Sequence, residues 1–259
     1  MSGTIETTRQ GPVARVSIGQ PARRNALTVA MWQDLADAMT ALDLDLEIRC
    51  VLLEGAGGAD FSTGADIAEF ASTRADEASA RAYDATVRRA FAAIRHCRHP
   101  VVAMIRGHCL GGALSAALMA DIRLATPSAR FGIPGARLGL GLGYDEVQRL
   151  LVTVGPAAAA EILLTGRSYG ADEALAMRIV SRIVDEGALE AEASDIARDI
   201  VAAAPLTNRW HKEVLRQLTA GPVVSTADRD RLYALCHAQD WHEGYRAFLE
   251  KRPPRFEGR

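Results

Sequence analysis

The sequence predicts an α/β fold with a helical C-terminal third. Three observations carry this expectation. Short apolar runs that end at glycine alternate with segments of helical period, those runs are apolar on both faces, and beyond Gly155 almost every periodic segment is helical.

The elements follow in order. Residues 13–18 form an apolar strand. After Pro21, residues 28–44 carry Trp32, Leu35, Met39 and Leu42 at helical spacing behind Thr28, whose hydroxyl suits an N-cap. Residues 50–53 form a second strand, closed by Gly55, Gly57 and Gly58, and residues 101–105 a third, opened by Pro100 and closed by Gly107. A long helix over 75–96 lies between them. A helix of small residues over 112–119 leads to a strand at 122–125, so strand and helix alternate as a layered α/β core requires. Helices are then expected over 157–164, 172–177, 189–203, 206–218, 227–238 and 241–249, with one strand near 180–184. The tail Arg252-Pro253-Pro254-Arg255 cannot continue a helix, because neither proline offers an amide donor. The expected organisation is a core over residues 1–200 and a helical assembly region over 201–259.

Composition excludes several function classes. The chain has 259 residues, 49% hydrophobic and 24% charged, with a formal net charge of -2, so it can bury a full core and carries no broad attraction for nucleic acid or an anionic membrane. Its four cysteines, Cys50, Cys97, Cys109 and Cys236, are scattered through apolar contexts without zinc-site or redox spacing, which points to no metal and a reducing compartment. The N-terminus lacks a basic patch followed by an apolar run. The longest charge-free apolar stretch, between Arg106 and Asp121, falls short of the roughly 18 residues a spanning helix needs. A cytoplasmic protein is expected.

Chemistry concentrates in two glycine-bearing segments that each follow a buried strand: Phe61-Ser62-Thr63-Gly64-Ala65-Asp66-Ile67 and Gly107-His108-Cys109-Leu110-Gly111-Gly112-Ala113. A strand that opens through a glycine turn into a helix start leaves amide N–H groups without intrahelical partners, and the helix dipole adds positive potential there. Two such turns can hold one oxygen on which negative charge develops, and each donor of an oxyanion hole contributes on the order of 3 kcal/mol.

With Arg24-Asn25-Ala26-Leu27 before these segments, Phe131-Gly132-Ile133-Pro134 after them, and Glu243 through Arg252 at the end, the sequence resembles the crotonase (enoyl-CoA hydratase/isomerase) superfamily over nearly its whole length. The resemblance implies a spiral of ββα turns with a helical trimerisation region. It implies an acyl-CoA thioester substrate, an oxyanion hole from the amides of Ala65 and Gly112, and a coenzyme A channel lined by Asn25, Ala26, Thr63, Gly64, Asp66, Ile67 and Gly111. It further implies that Phe248 and Lys251 reach the nucleotide end, often across a subunit boundary, in a homotrimer or dimer of trimers. No permanently bound cofactor is implied, coenzyme A arriving as part of the substrate.

The sequence departs from the family pattern where hydratases carry two glutamates. Those places are Ser115, three residues after Gly112, and Gly135, just after Pro134. Neither can act as a carboxylate base. The next acids, Asp145 and Glu146, follow Tyr144 at an expected helix start beside the acyl pocket, and Asp145 ranks first for proton transfer with Tyr144 and Glu146 behind it. An enoyl-CoA hydratase/isomerase-like activity is the leading reading. A non-catalytic acyl-CoA binder, or a crotonase-type dehalogenase, hydrolase or decarboxylase, stands as the alternative. A nicotinamide dehydrogenase is disfavoured, because the glycines between Gly139 and Gly143 do not complete the dinucleotide pattern.

Overall fold

The computed structural model describes residues 3–221 and 224–259. Strands β1 (Thr4–Gln10), β2 (Val13–Gly19), β3 (Cys50–Gly55), β4 (Val101–Ile105), β6 (Ile122–Ala125) and β9 (Arg182–Ile183) form one sheet in the order β1-β2-β3-β4-β6-β9. Only β1 runs antiparallel, to β2; the other pairs are parallel. A second sheet joins β5 (His108–Leu110), β7 (Arg130–Gly132) and β8 (Tyr169–Gly170) in the order β5-β7-β8.

The period of two along the strands divides the core into two. Val51, Leu53, Val101, Ala103 and Ile105 face the larger cluster, where α1 (Val29–Leu44), α3 (Glu77–His96) and α4 (Gly112–Met119) pack. Cys50, Leu52, Val102, Met104 and Leu124 face the other way, onto Leu189, Ala193 and Ala197 of α8 (Leu189–Ala202). Strands β3 and β4, buried on both faces, read as apolar runs, whereas β6 buries Arg123, whose guanidinium donates to the carbonyls of Ile179 and Ala120. The start of α1 is as the sequence predicts, and α3 begins at Glu77, two residues inside the expected 75–96. The Thr28 hydroxyl accepts from Met31 N–H at 3.2 Å, and Asp76 with Ser79 forms a capping box that starts α3.

The remaining helices are α2 (Phe70–Thr73), α5 (Gly135–Leu138), α6 (Tyr144–Thr165), α7 (Ala171–Ala176), α9 (Pro205–Ala220), α10 (Thr226–Asp230) and α11 (Gln239–Leu249). The expected helix over 227–238 is α10 followed by a 3-10 segment, Arg231–His237. By length and composition α6 passes for a membrane span, with mean hydropathy 1.4, yet Gly155 (φ 79°) and Pro156 break it into two shorter helices.

The C-terminal helices dock on the core through α9. Lys212 Nζ donates to the His99 carbonyl at 2.8 Å and lies 2.7 Å from Asp121 Oδ2, which also accepts from Val101 N–H. His99 is itself buried with no acceptor or donor for Nε2 among the described residues, and burial with the nearby Arg209 charge pushes its pKa down to about 4. The folded state thus resists a proton that the unfolded chain takes up at its ordinary value. Stability from this site is complete above about pH 6.5 and is lost as the pH falls toward 4, by up to about 3 kcal/mol. In urea titrations at pH 7 and pH 4.5, His99→Gln is expected to shrink the acid-induced loss of stability by roughly 2 kcal/mol. An unchanged loss would contradict the assignment.

Candidate active site

The two glycine-bearing turns meet. An isolated parallel bridge pairs Leu27 with Ala65, and it uses Leu27 N–H to the Gly64 carbonyl (2.7 Å) and Asp66 N–H to the Leu27 carbonyl (2.8 Å). In such a bridge the middle residue's own amide faces the opposite way, so Ala65 N–H points away from Leu27 and finds no acceptor among the described residues. Gly64 makes this possible at φ 86°. A Cβ there would sit 2.5 Å from the Leu110 carbonyl oxygen and 3.0 Å from the Gly112 nitrogen, so the first turn lies directly on the start of α4.

Gly112 is the first residue of α4, and the first intrahelical bond there is Ser115 N–H to the Gly111 carbonyl at 3.1 Å. The Gly112 amide therefore has no partner in its own helix, nor elsewhere among the described residues. Gly111 turns its own N–H to the Gly132 carbonyl at 2.8 Å, tying this turn to β7. Ser62 ties the two turns together, since its N–H donates to the His108 carbonyl and its hydroxyl to the Asn25 carbonyl at 2.6 Å.

Ala65 and Gly112 both border a cavity of about 140 Å³. Its apolar wall includes Trp32, Phe70, Ile133, Leu138 and Leu142, and its polar groups are Thr63, Arg74, Tyr83, Asp84, Ser115 and Glu146. Trp32 lies beneath the second turn, its ring about where a Cβ on Gly112 would make contact at 3.2 Å, and it packs edge-on against Phe91.

Glu146 is the acid the fold brings in. Its Oε1 accepts from the Ser115 hydroxyl at 2.8 Å and its Oε2 from Gly143 N–H at 3.2 Å. Burial raises its pKa above the ordinary carboxylate value. The Ser115 and Gly143 hydrogen bonds offset part of that rise, Asp84 adds to it, and Arg74 opposes it. Asp145, ranked first from sequence, is exposed and Tyr144 is 94% exposed, and neither borders the cavity. Successive helical residues point about 100° apart, so at the first turn of α6 only one of Asp145 and Glu146 can face inward.

The other expected residues divide. Thr63 and Ile67 line the cavity with Ala65, Gly111 and Gly112, and Gly64 backs it. Asn25 does not reach it. It is buried, its Nδ2 donating to the carbonyls of Ala56 and Asp60 while its Oδ1 accepts from Gln20 N–H, so its side chain is spent on the loop. Ala26 is buried away from the cavity, and Asp66 caps the next turn at Ala68 N–H while accepting from Arg23 at 2.7 Å. Phe248 (83% exposed) and Lys251 lie on the outer surface at the end of α11, outside the cavity. His108 is held by Asp60 at 2.7 Å and likewise lies outside it. Arg74, Tyr83 and Asp84 also border the cavity, and no sequence pattern marks them, because their positions depend on how α2 folds onto α3. No group of three histidine, cysteine, aspartate or glutamate residues among the described ones is placed to hold a metal.

Gly64→Ala is expected to cost at least about 1 kcal/mol in denaturant unfolding, since the new Cβ meets backbone and a positive φ at once. A variant as stable as the parent would mean the two turns are not held in this contact.

Comparison with known proteins agrees with the fold. A profile of the family Enoyl-CoA hydratase/isomerase matches residues 8–259. A short-chain-enoyl-CoA hydratase of Clostridium acetobutylicum is 31% identical over 94% of each chain, and a carnitinyl-CoA dehydratase of Citrobacter koseri is 31% identical over 100% of each. The crystal structure of an enoyl-CoA hydratase/carnithine racemase from Magnetospirillum magneticum superposes with a TM-score of 0.97 at 42% identity, covering 100% of this chain and 97% of that one.

Proposed function

The chain belongs to the enoyl-CoA hydratase/isomerase (crotonase) family of enzymes, and on that premise we propose that it acts on acyl-CoA thioesters through an enolate. The carbonyl oxygen rests between the amides of Ala65 and Gly112, and Glu146 moves the proton. The observation that carries this reading is the pair of amides, unpartnered among the described residues, that border a cavity together with the half-buried carboxylate of Glu146.

Charge that develops on the thioester oxygen when Cα is deprotonated, or when a nucleophile adds at Cβ, falls on donors already in place, which is where preorganisation lowers a barrier most. In hydration, Glu146 takes a proton from water as its oxygen adds to Cβ, and the same carboxyl returns a proton to Cα. Dehydration is the reverse. One carboxyl group can also carry a proton from Cα to Cγ and so isomerise a double bond. Ser115 stands where relatives of the hydratase pattern carry a glutamate; here its hydroxyl orients Glu146 instead.

Coenzyme A enters as part of the substrate, with no resident cofactor, past Thr63 and Ile67. The exposed apolar residues Leu215, Leu218, Tyr245 and Phe248 support a homotrimer or dimer of trimers in which residues 201–259 form the contact beyond a core over 1–200. In that arrangement Phe248 and Lys251 serve the nucleotide end in a neighbouring copy. A cytoplasmic setting fits the free cysteines.

On crotonyl-CoA, Glu146→Gln is expected to lower kcat by about 10²-fold or more while thioester binding by calorimetry stays within a few-fold. Asp145→Asn is expected to leave kcat within about twofold. The opposite pattern would return the role to Asp145. The base acts ionised, so kcat/KM should fall with acid through a midpoint above the ordinary glutamate value of 4.5. Ser115→Ala removes a hydrogen bond to the charged form and should move that midpoint higher. A midpoint that stays put would remove Ser115 from the account.

A further inference from the structure

Arg74 is the single basic side chain bordering the cavity among the described residues, and the fold holds its guanidinium in place. Its central carbon lies 5.3 Å from the ring centre of Phe70 and 5.0 Å from that of Tyr83. Nη2 donates to Asp84 Oδ1 at 3.0 Å. Nε is buried without an acceptor, and Nη1 also has none among the described residues. A guanidinium carries five N–H donors, so most of this one's donors are unspent beside a cavity whose wall is otherwise mainly apolar.

We propose that Arg74 selects acyl groups that carry an uncharged oxygen, a hydroxyl or carbonyl beyond the thioester, on a short chain. The inference rests on the acyl-CoA reading and names its substrate class. Length follows from volume, since about 140 Å³ is close to the roughly 150 Å³ that admits benzene. A plain alkyl chain would dry the guanidinium without supplying an acceptor, and a site built to donate to oxygen discriminates strongly against analogues that lack it.

The charge of the acyl group follows from what surrounds Arg74. A quaternary ammonium would need the faces of Phe70 and Tyr83, which the guanidinium already covers. A carboxylate would meet a cation that Asp84 has already neutralised, with Glu146 in the same cavity. An uncharged oxygen uses the spare donors without either conflict.

The test compares kcat/KM for enoyl-CoA esters of equal chain length ending in methyl, hydroxyl, carboxylate or trimethylammonium, with binding of each measured by calorimetry. The parent enzyme is expected to favour the hydroxyl ester over the methyl ester by about tenfold or more. Arg74→Met, checked for a native melting curve, should erase that ratio, and Arg74→Lys should restore it in part. Asp84→Asn unmasks the cation and should raise the carboxylate ester relative to the hydroxyl ester, a change that a purely structural Arg74 would not produce. A parent preference for methyl, carboxylate or trimethylammonium, or a hydroxyl preference that survives Arg74→Met, overturns the inference while leaving the acyl-CoA reading intact. Failure to bind any of the esters overturns both.

Discussion

Two main-chain amides left without partners among the described residues, at the junction of two turns, are the constraint on which the rest of this structure depends. An unpaired N–H in a protein interior ordinarily costs on the order of 1–3 kcal/mol, so a fold tolerates it where something else takes the bond. Here the cost is built in by geometry. The Leu27–Ala65 bridge turns one amide away from its neighbours, the start of α4 frees the other, and Gly64 lets the two backbones touch. The parallel sheet supplies the rigid base, since the second turn grows from the ends of β4 and β5 and the first is laced to it through Ser62.

Under the proposed mechanism, the acid-base group reaches this point by a different route from the one the family pattern suggests. Ser115 on α4 and Gly135 on α5 leave their places without a carboxylate, and α6 supplies one from the side. Glu146 is fixed by two hydrogen bonds, one from Ser115 and one from the Gly143 amide at its own helix start, so its orientation depends on the packing of α4 against α6. A single carboxyl must then serve as base in one half of a reaction and acid in the other.

Much of the fold was legible because its physics is local. The double-faced burial of β3 and β4 requires apolar runs, and the cap at Thr28 marks a real helix start. Strand β1 was not legible, since its residues are polar and mostly exposed and it exists through pairing with β2. The two- and three-residue strands of the second sheet likewise have no pattern long enough to read. In the site, the glycine turns stood out, whereas which of Asp145 and Glu146 borders the cavity turned on the phase of α6 by one residue. Arg74 lies between two helices with no periodicity to announce it, and Asn25 shows the converse, a motif residue whose side chain the loop consumes.

The central claim is that one carbonyl oxygen accepts from both amides. The most direct measurement is the infrared difference spectrum of butyryl-CoA carrying a carbon-13 label at the thioester carbonyl, bound to the protein and free in water. Two aligned donors in a dry site predict a carbonyl stretch shifted to lower frequency than in water. A stretch at or above its frequency in water, with the ligand bound, would contradict the account.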